Sequence, residues 1–142
     1  MPEAVNGTTR IHYDTKGDRN NPSILLINGY TQPMTSFMDG FCQLLVDAGY
    51  HVIRFDNRDV GLTSKTQGDP PDLQGIITAV MANQTPPQVP YTLEDMAADA
   101  FAVLDAASIS SAHIVGVSMG GYIAQTMAIT NPKRLESMTS IM

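Results

Sequence analysis

A chain of 142 residues with 43% hydrophobic residues, no tryptophan and a formal net charge of −6 is sized for one domain with a core of its own. Its acidic residues are spread out and no basic stripe interrupts them, which excludes nucleic acid as an expected partner. No apolar run approaches the ~20 residues that span a bilayer, so no membrane partner is expected. The opening MPEAVNGTTR lacks the basic and apolar regions of a signal peptide, and a soluble cytoplasmic protein is expected. The single cysteine, Cys42, sits in an apolar helical pattern and reads as core packing; one thiol allows no disulfide within the chain and no metal cluster.

In chain order, TTRIHYDTKGD (8–18) reads as a strand and a turn, and PSILLING (22–29) as a strand buried on both faces. Residues 34–48 place Phe37, Phe41, Leu44, Leu45 and Ala48 at helical spacing, with Gly49 as the stop. YHVIRFDN (50–57) is the next strand. From 67 to 90 the composition shifts: Pro70, Pro71, Pro86, Pro87 and Pro90 bracket the short apolar piece GIITAVMA. This is an excursion from the sheet with a short helix of its own. Its Ile76, Ile77, Val80 and Met81 either wall a pocket or bury that helix. Thr92 and Asp95 form a capping box for a helix whose stripe is Leu93, Met96, Ala97, Ala100, Val103, Leu104 and Ala107. SAHIVGVS (111–118) is a third buried strand, Met119 to Thr130 a helix closed by Asn131-Pro132, and LESMTSIM (135–142) a last strand. Strands alternating with helices give an α/β class: a mostly parallel sheet with helices on both faces. Sites in such sheets lie beyond the carboxyl ends of strands, here at 28–30, 56–64 and 116–121.

The chemistry concentrates at Gly116-Val117-Ser118-Met119-Gly120, a G-x-S-x-G pattern between strand and helix. A serine on so sharp a turn is lifted clear of the sheet, and the flanking glycines, Gly116 and Gly120, leave room for it. The helix behind aims its N-terminal N–H groups at the same point. Ser118 can attack a carbonyl there, and the Met119 N–H can hold the oxyanion. The competing reading is a tight junction with serine as a mere helix cap.

These residues resemble the α/β-hydrolase fold family from about Thr9 to Met142. LLINGYTQ resembles that family's oxyanion loop, with Asn28 where a histidine usually precedes the glycine. FDNRDVGLTS resembles the D-x-R-x-x-G-x-S segment, and YTLEDMAADAFAVLDAASISSAHIVGVSMGG the helix leading into the nucleophile strand. Within the family the DNRDVG segment is most similar to aclacinomycin methylesterase-like small-molecule esterases. The resemblance implies Ser118 as nucleophile, the N–H groups of Tyr30 and Met119 as oxyanion hole, and neither metal nor organic cofactor. Asp56 and Arg58 are read as structural braces beside the elbow. A serine at the elbow sets the chain apart from dehalogenases and epoxide hydrolases, which resemble this fold but carry aspartate there; perhydrolases and C–C bond hydrolases share the serine.

A serine needs a base and an orienting acid, which follow the nucleophile in this fold. No histidine follows Ser118, and Glu136 is the only later carboxylate. His51 and His113 open their strands at the opposite end of the sheet, and His12 lies within the first strand. The chain is therefore expected to be the N-terminal part of a hydrolase, 1–142, ending after about the sixth strand. As expected function, it is a serine hydrolase of small-molecule carboxylic esters, methyl esters included, lacking its acid and histidine. The alternative is a non-catalytic half-domain that binds a partner or ligand. The last strand has one charge and no proline to protect an edge, so self-association, or pairing with a C-terminal half, is expected.

Overall fold

The apolar run at 22–29 becomes the inner strand around which the rest is arranged. The computed structural model describes residues 2–141 and contains β1 (Glu3–Asn6), β2 (Thr9–Lys16), β3 (Ser23–Ile27), α1 (Asp39–Asp47), β4 (His51–Phe55), α2 (Leu73–Met81), α3 (Leu93–Ala106), β5 (Ala112–Val117), α4 (Met119–Thr130) and β6 (Leu135–Ile141). One six-stranded sheet runs β1-β2-β4-β3-β5-β6. β3 pairs parallel with β4 and β5, and β5 with β6, whereas β1 and β2 join antiparallel. Met142, expected in the last strand, lies outside the described residues.

Side-chain alternation along β3 and β4 divides the core. Leu25, Ile27, Ile53 and Phe55 face α3 and α4, meeting Met96, Ala100, Val103, Leu104, Ile123 and Met127. Ile24, Leu26 and Val52 face the other way, toward Cys42 of α1. A period of two is what puts consecutive apolar residues on opposite faces of a doubly covered sheet. Cys42 is a buried free thiol, and burial pushes its pKa up.

Three local expectations change. The N-terminal residues add β1, whose hairpin with β2 no apolar alternation announced. The helix expected over 34–48 is broken into a 3-10 turn, Met34–Ser36, and α1 from Asp39. The cause is tertiary: the Arg54 guanidinium, on a side chain only 5% exposed, takes the Phe37 carbonyl while holding Asp14 at 2.8 Å and Asp39 at 2.7 Å. That carbonyl is committed outside the helix, and Met38 stays extended. Phe41 and Leu44 of the expected stripe are exposed. The helix of the excursion begins at Leu73 instead of Gly75, because the Asp72 carboxylate accepts the Gly75 N–H at 2.9 Å and fixes the start there. The Thr92 box is present, with the Thr92 N–H donating to Asp95 at 2.8 Å. Among the described residues no helix is long and apolar enough to cross a membrane.

Candidate active site

β5 delivers the chain to Ser118, and α4 begins at the next residue. Ser118 has φ +54° and ψ −121°, a combination that costs a residue with a Cβ on the order of 1–3 kcal/mol. The surroundings enforce it: the Ser118 N–H donates to the Ile141 carbonyl at 2.7 Å and the Ser118 carbonyl accepts from Gly121 at 2.8 Å. Ser118 is exposed, and its side chain makes no capping bond to α4. The hydroxyl is thus not consumed as a helix cap.

The glycines are required by close approach. A Cβ on Gly116 would run into the Gly120 carbonyl, and one on Gly120 into the Ile27 carbonyl. Gly121, which the pattern does not include, meets a softer limit, the Ser140 hydroxyl of β6. Gly29 completes the junction. A Cβ there would lie 3.2 Å from the Ser118 Cβ and 3.6 Å from its Oγ, so the loop after β3 passes directly beside the serine.

That loop is held on three sides. The Asn28 side chain donates to the Pro33 carbonyl at 2.8 Å, and the Asn57 side chain donates to the Asn28 carbonyl at 3.0 Å. Asp56 accepts the Met34 N–H at 2.7 Å through one carboxylate oxygen and the Leu62 N–H at 2.9 Å through the other. It therefore stitches the loop after β3 to the loop after β4. Arg58 does something else: it pairs with Asp99 of α3, at 2.5 Å, on side chains 14% and 2% exposed. The pair is buried, with Asn6 of β1 also donating to Asp99 at 2.8 Å. Asp99 sits among the apolar stripe of α3, where its sequence position gives no sign of an ion pair.

Tyr30 and Met119 line one cleft of about 850 Å³, together with Pro33, Arg58, Tyr91 and Met96. The excursion supplies another wall of it through Pro70, Pro71, Leu73, Ile76 and Val89. Of the four excursion residues singled out from sequence, Ile76 lines the cleft; Ile77, Val80 and Met81 neither line it nor pack down, and are exposed. Volume and apolar walls suit a small organic molecule.

No histidine reaches the serine. His113 lies five residues upstream on the same strand, roughly 16 Å away at ~3.3 Å per residue. His51 opens the parallel strand β4 at that same far end, its Nδ1 paired with the Ser23 hydroxyl at 3.1 Å. Its buried ring is pushed below the ordinary histidine pKa by desolvation. His12 is at the near end, but three strand spacings from β5, about 14 Å. Its Nε2 is buried without a partner. Among the described residues no three His, Cys, Asp or Glu side chains gather as a metal site would require.

Residues 22–142 match the family model described as alpha/beta hydrolase fold. The chain is 37% identical over 123 residues to rhodomycin D methylesterase DnrP of Streptomyces peucetius, covering 87% of this chain and 35% of that protein. It is 27% identical over 135 residues to epoxide hydrolase B of Mycobacterium tuberculosis, covering 94% of this chain and 32% of the relative. In fold it is similar to epoxide hydrolase A of Mycobacterium thermoresistibile, with a TM-score of 0.74 and 24% identity, covering 98% of this chain and 37% of the other. The chain thus spans about a third of the length of the curated relatives it matches.

Proposed function

The chain belongs to the alpha/beta hydrolase fold family, and from that premise we propose that it carries the nucleophile and oxyanion hole of a serine hydrolase acting on carboxylic esters, methyl esters of small molecules among them. The observation that supports this most is the conformation of Ser118: exposed, at φ +54°, at the head of α4 and against Gly29. In this reading Ser118 Oγ attacks the ester carbonyl as its proton passes to a base, and the carbonyl electron pair moves onto oxygen. The N–H groups of Tyr30 and Met119 hold that oxyanion. Its collapse breaks the C–O bond, the alcohol leaves with a proton, and water then releases the acid from the acyl-serine. The methyl-ester preference is carried over from the rhodomycin D methylesterase, a relative by sequence.

The base is the step this chain does not supply by itself. With every described histidine distant from Ser118, the 142-residue chain alone is expected to turn over p-nitrophenyl acetate negligibly. An oxyanion hole acting alone still leaves a residual rate about 10³-fold over water. Efficient turnover that disappears in Ser118→Ala would show a base within the chain and overturn this account. Supplying a C-terminal half of a related esterase in trans is expected to raise turnover, by bringing acid and histidine to Ser118 across β6. The distance of every described histidine from Ser118 also supports a second reading, a half-domain that binds a small ester or a partner without turnover. In that case ligand affinity is independent of Ser118→Ala, and no added half restores hydrolysis.

A further inference from the structure

β4 ends at Phe55, and the next two residues hold the two ends of the loop that follows β3. Asp56 accepts the Met34 N–H, at the far end of that loop, at 2.7 Å. Asn57 donates to the Asn28 carbonyl, at its near end, at 3.0 Å. Asn28 then closes the loop on itself, its side chain donating to the Pro33 carbonyl at 2.8 Å. Asp56, Asn57 and Asn28 are 2%, 2% and 5% exposed, so their hydrogen-bonding capacity goes to the loop and not to water. What they hold is strained. The Gln32 N–H turns back to the Gly29 carbonyl at 3.4 Å, and Thr31 inside that turn sits at φ +61°. A β-branched residue in the left-handed region is an outlier, and such strain persists only where the surroundings over-determine it. Tyr30 and Thr31 both line the cleft. Among the described residues no backbone carbonyl accepts the Tyr30 N–H.

We infer that Asn57 is a positioning residue for the oxyanion hole: by fixing the Asn28 carbonyl it keeps the strained 29–32 turn in place, and with it the Tyr30 N–H directed at the carbonyl oxygen of a bound ester. The inference rests on the ester reading for what that N–H meets, and on the hydrogen bonds for what holds the loop. The Asn28 carbonyl lies in one peptide plane and the Tyr30 N–H in the next, so only the φ and ψ of Gly29 separate them. Glycine restricts neither angle. The direction of the Tyr30 N–H is therefore set by what anchors the plane before it, and Asn57 is that anchor. Asn57 itself does not line the cleft, so its loss should change how the ester carbonyl is polarised and not how the rest of the ester is held.

The experiment is difference infrared spectroscopy of methyl benzoate, carbon-13-labelled at its carbonyl, bound to the 142-residue chain. A carbonyl held by two N–H donors loses double-bond character, so in the parent its band is expected below its position in water. Asn57→Asp keeps the shape at position 57 and loses the donor. In this variant about half of the displacement or more is expected to vanish, while the dissociation constant of the ester stays within about threefold. The residual hydrolysis of p-nitrophenyl acetate is expected to fall about tenfold with KM unchanged. Val103→Ala, which opens the core under α3, lowers the urea midpoint and is expected to leave the band where the parent has it. Should Asn57→Asp not fold, Asn57→Ala, which brings no charge, decides the matter in the same way. A displacement retained in the folded Asn57 variant overturns the positioning role and leaves the ester reading standing. So does an equal loss in Val103→Ala, which would mark general loosening. A parent that binds the ester without displacing its carbonyl band removes the oxyanion hole and the role of Asn57 with it. A parent that binds no ester removes the ester reading as well.

Discussion

Ser118 holds a conformation that its own side chain disfavours, and this can be read out as stability. Ser118→Gly removes the Cβ that makes φ +54° costly and is expected to stabilise the chain by about 1 kcal/mol in urea unfolding. Ser118→Ala keeps the Cβ and should change little. Gly120→Ala works in the opposite sense. Its Cβ meets the Ile27 carbonyl, which belongs to the inner strand and cannot move aside, so a loss of about 1–3 kcal/mol is expected. Arg58→Ala leaves Asp99 buried with Asn6 as its remaining partner and is expected to cost about 3 kcal/mol. Tyr91 gives a pH signature. Burial first, and the Asp59 carboxylate second, push its pKa from the ordinary 10.0 up to about 12. Between these values the unfolded chain has released the Tyr91 proton and the folded chain retains it. The unfolded state then binds fewer protons, so stability falls as pH rises from about 10 to about 12. Unfolding free energies at pH 9 and 11.5 should therefore converge in Tyr91→Phe relative to the parent.

At the level of elements, α2 depends on one side chain for its start. Asp72→Ala is expected to cost about 1 kcal/mol of local helix stability, seen as faster amide exchange across Leu73–Met81 with exchange in β3 unchanged. How much of the architecture the sequence disclosed follows from where each element gets its stability. β3 and β5 are apolar runs flanked by turn residues, and α4 carries a glycine pair, Gly120-Gly121, in its first turn and ends at Asn131-Pro132, so local composition decides them. The elbow was equally legible, because Gly116 and Gly120 answer a steric demand that any strand-to-helix turn of that sharpness makes. β1 was not. It has four residues, and its exposed Val5 is the reverse of the pattern that marks a strand. The break at Phe37 and Met38 was also hidden, since it comes from Arg54, a residue 17 positions away in the chain. Asp99 was missed for a related reason. Its partner Arg58 meets it only after the loop beyond β4 has folded back against α3, and no spacing in the sequence encodes that meeting.

For the whole molecule, β6 is the outermost strand on one side of the sheet among the described residues, where it pairs with β5, and its residues after Leu135 and as far as Ile141 are exposed. Its outer N–H and C=O groups lack partners within the described residues, and Met138 and Ile141 offer apolar side chains beside them. Self-association is the expected outcome at tens of micromolar, an order of magnitude at which such edges aggregate. Light scattering should show it for the parent and a reduced effect in Met138→Lys. A monodisperse monomer for the parent would mean that the edge is protected by another device. The strand order has a further consequence, for the timetable of synthesis. β3 emerges third, yet its two neighbours are β4 and β5, and β5 ends only at Val117. At about 5–20 residues per second, the ribosome takes roughly 5–20 seconds to make the roughly 90 residues between the end of β3 and the end of β5. During that interval Ile24, Leu25, Leu26 and Ile27 have no second neighbour and no α4 above them. The nascent chain must carry its most apolar segment half-covered while the excursion is being translated, and that window is when a chaperone or a neighbouring polysome would find it.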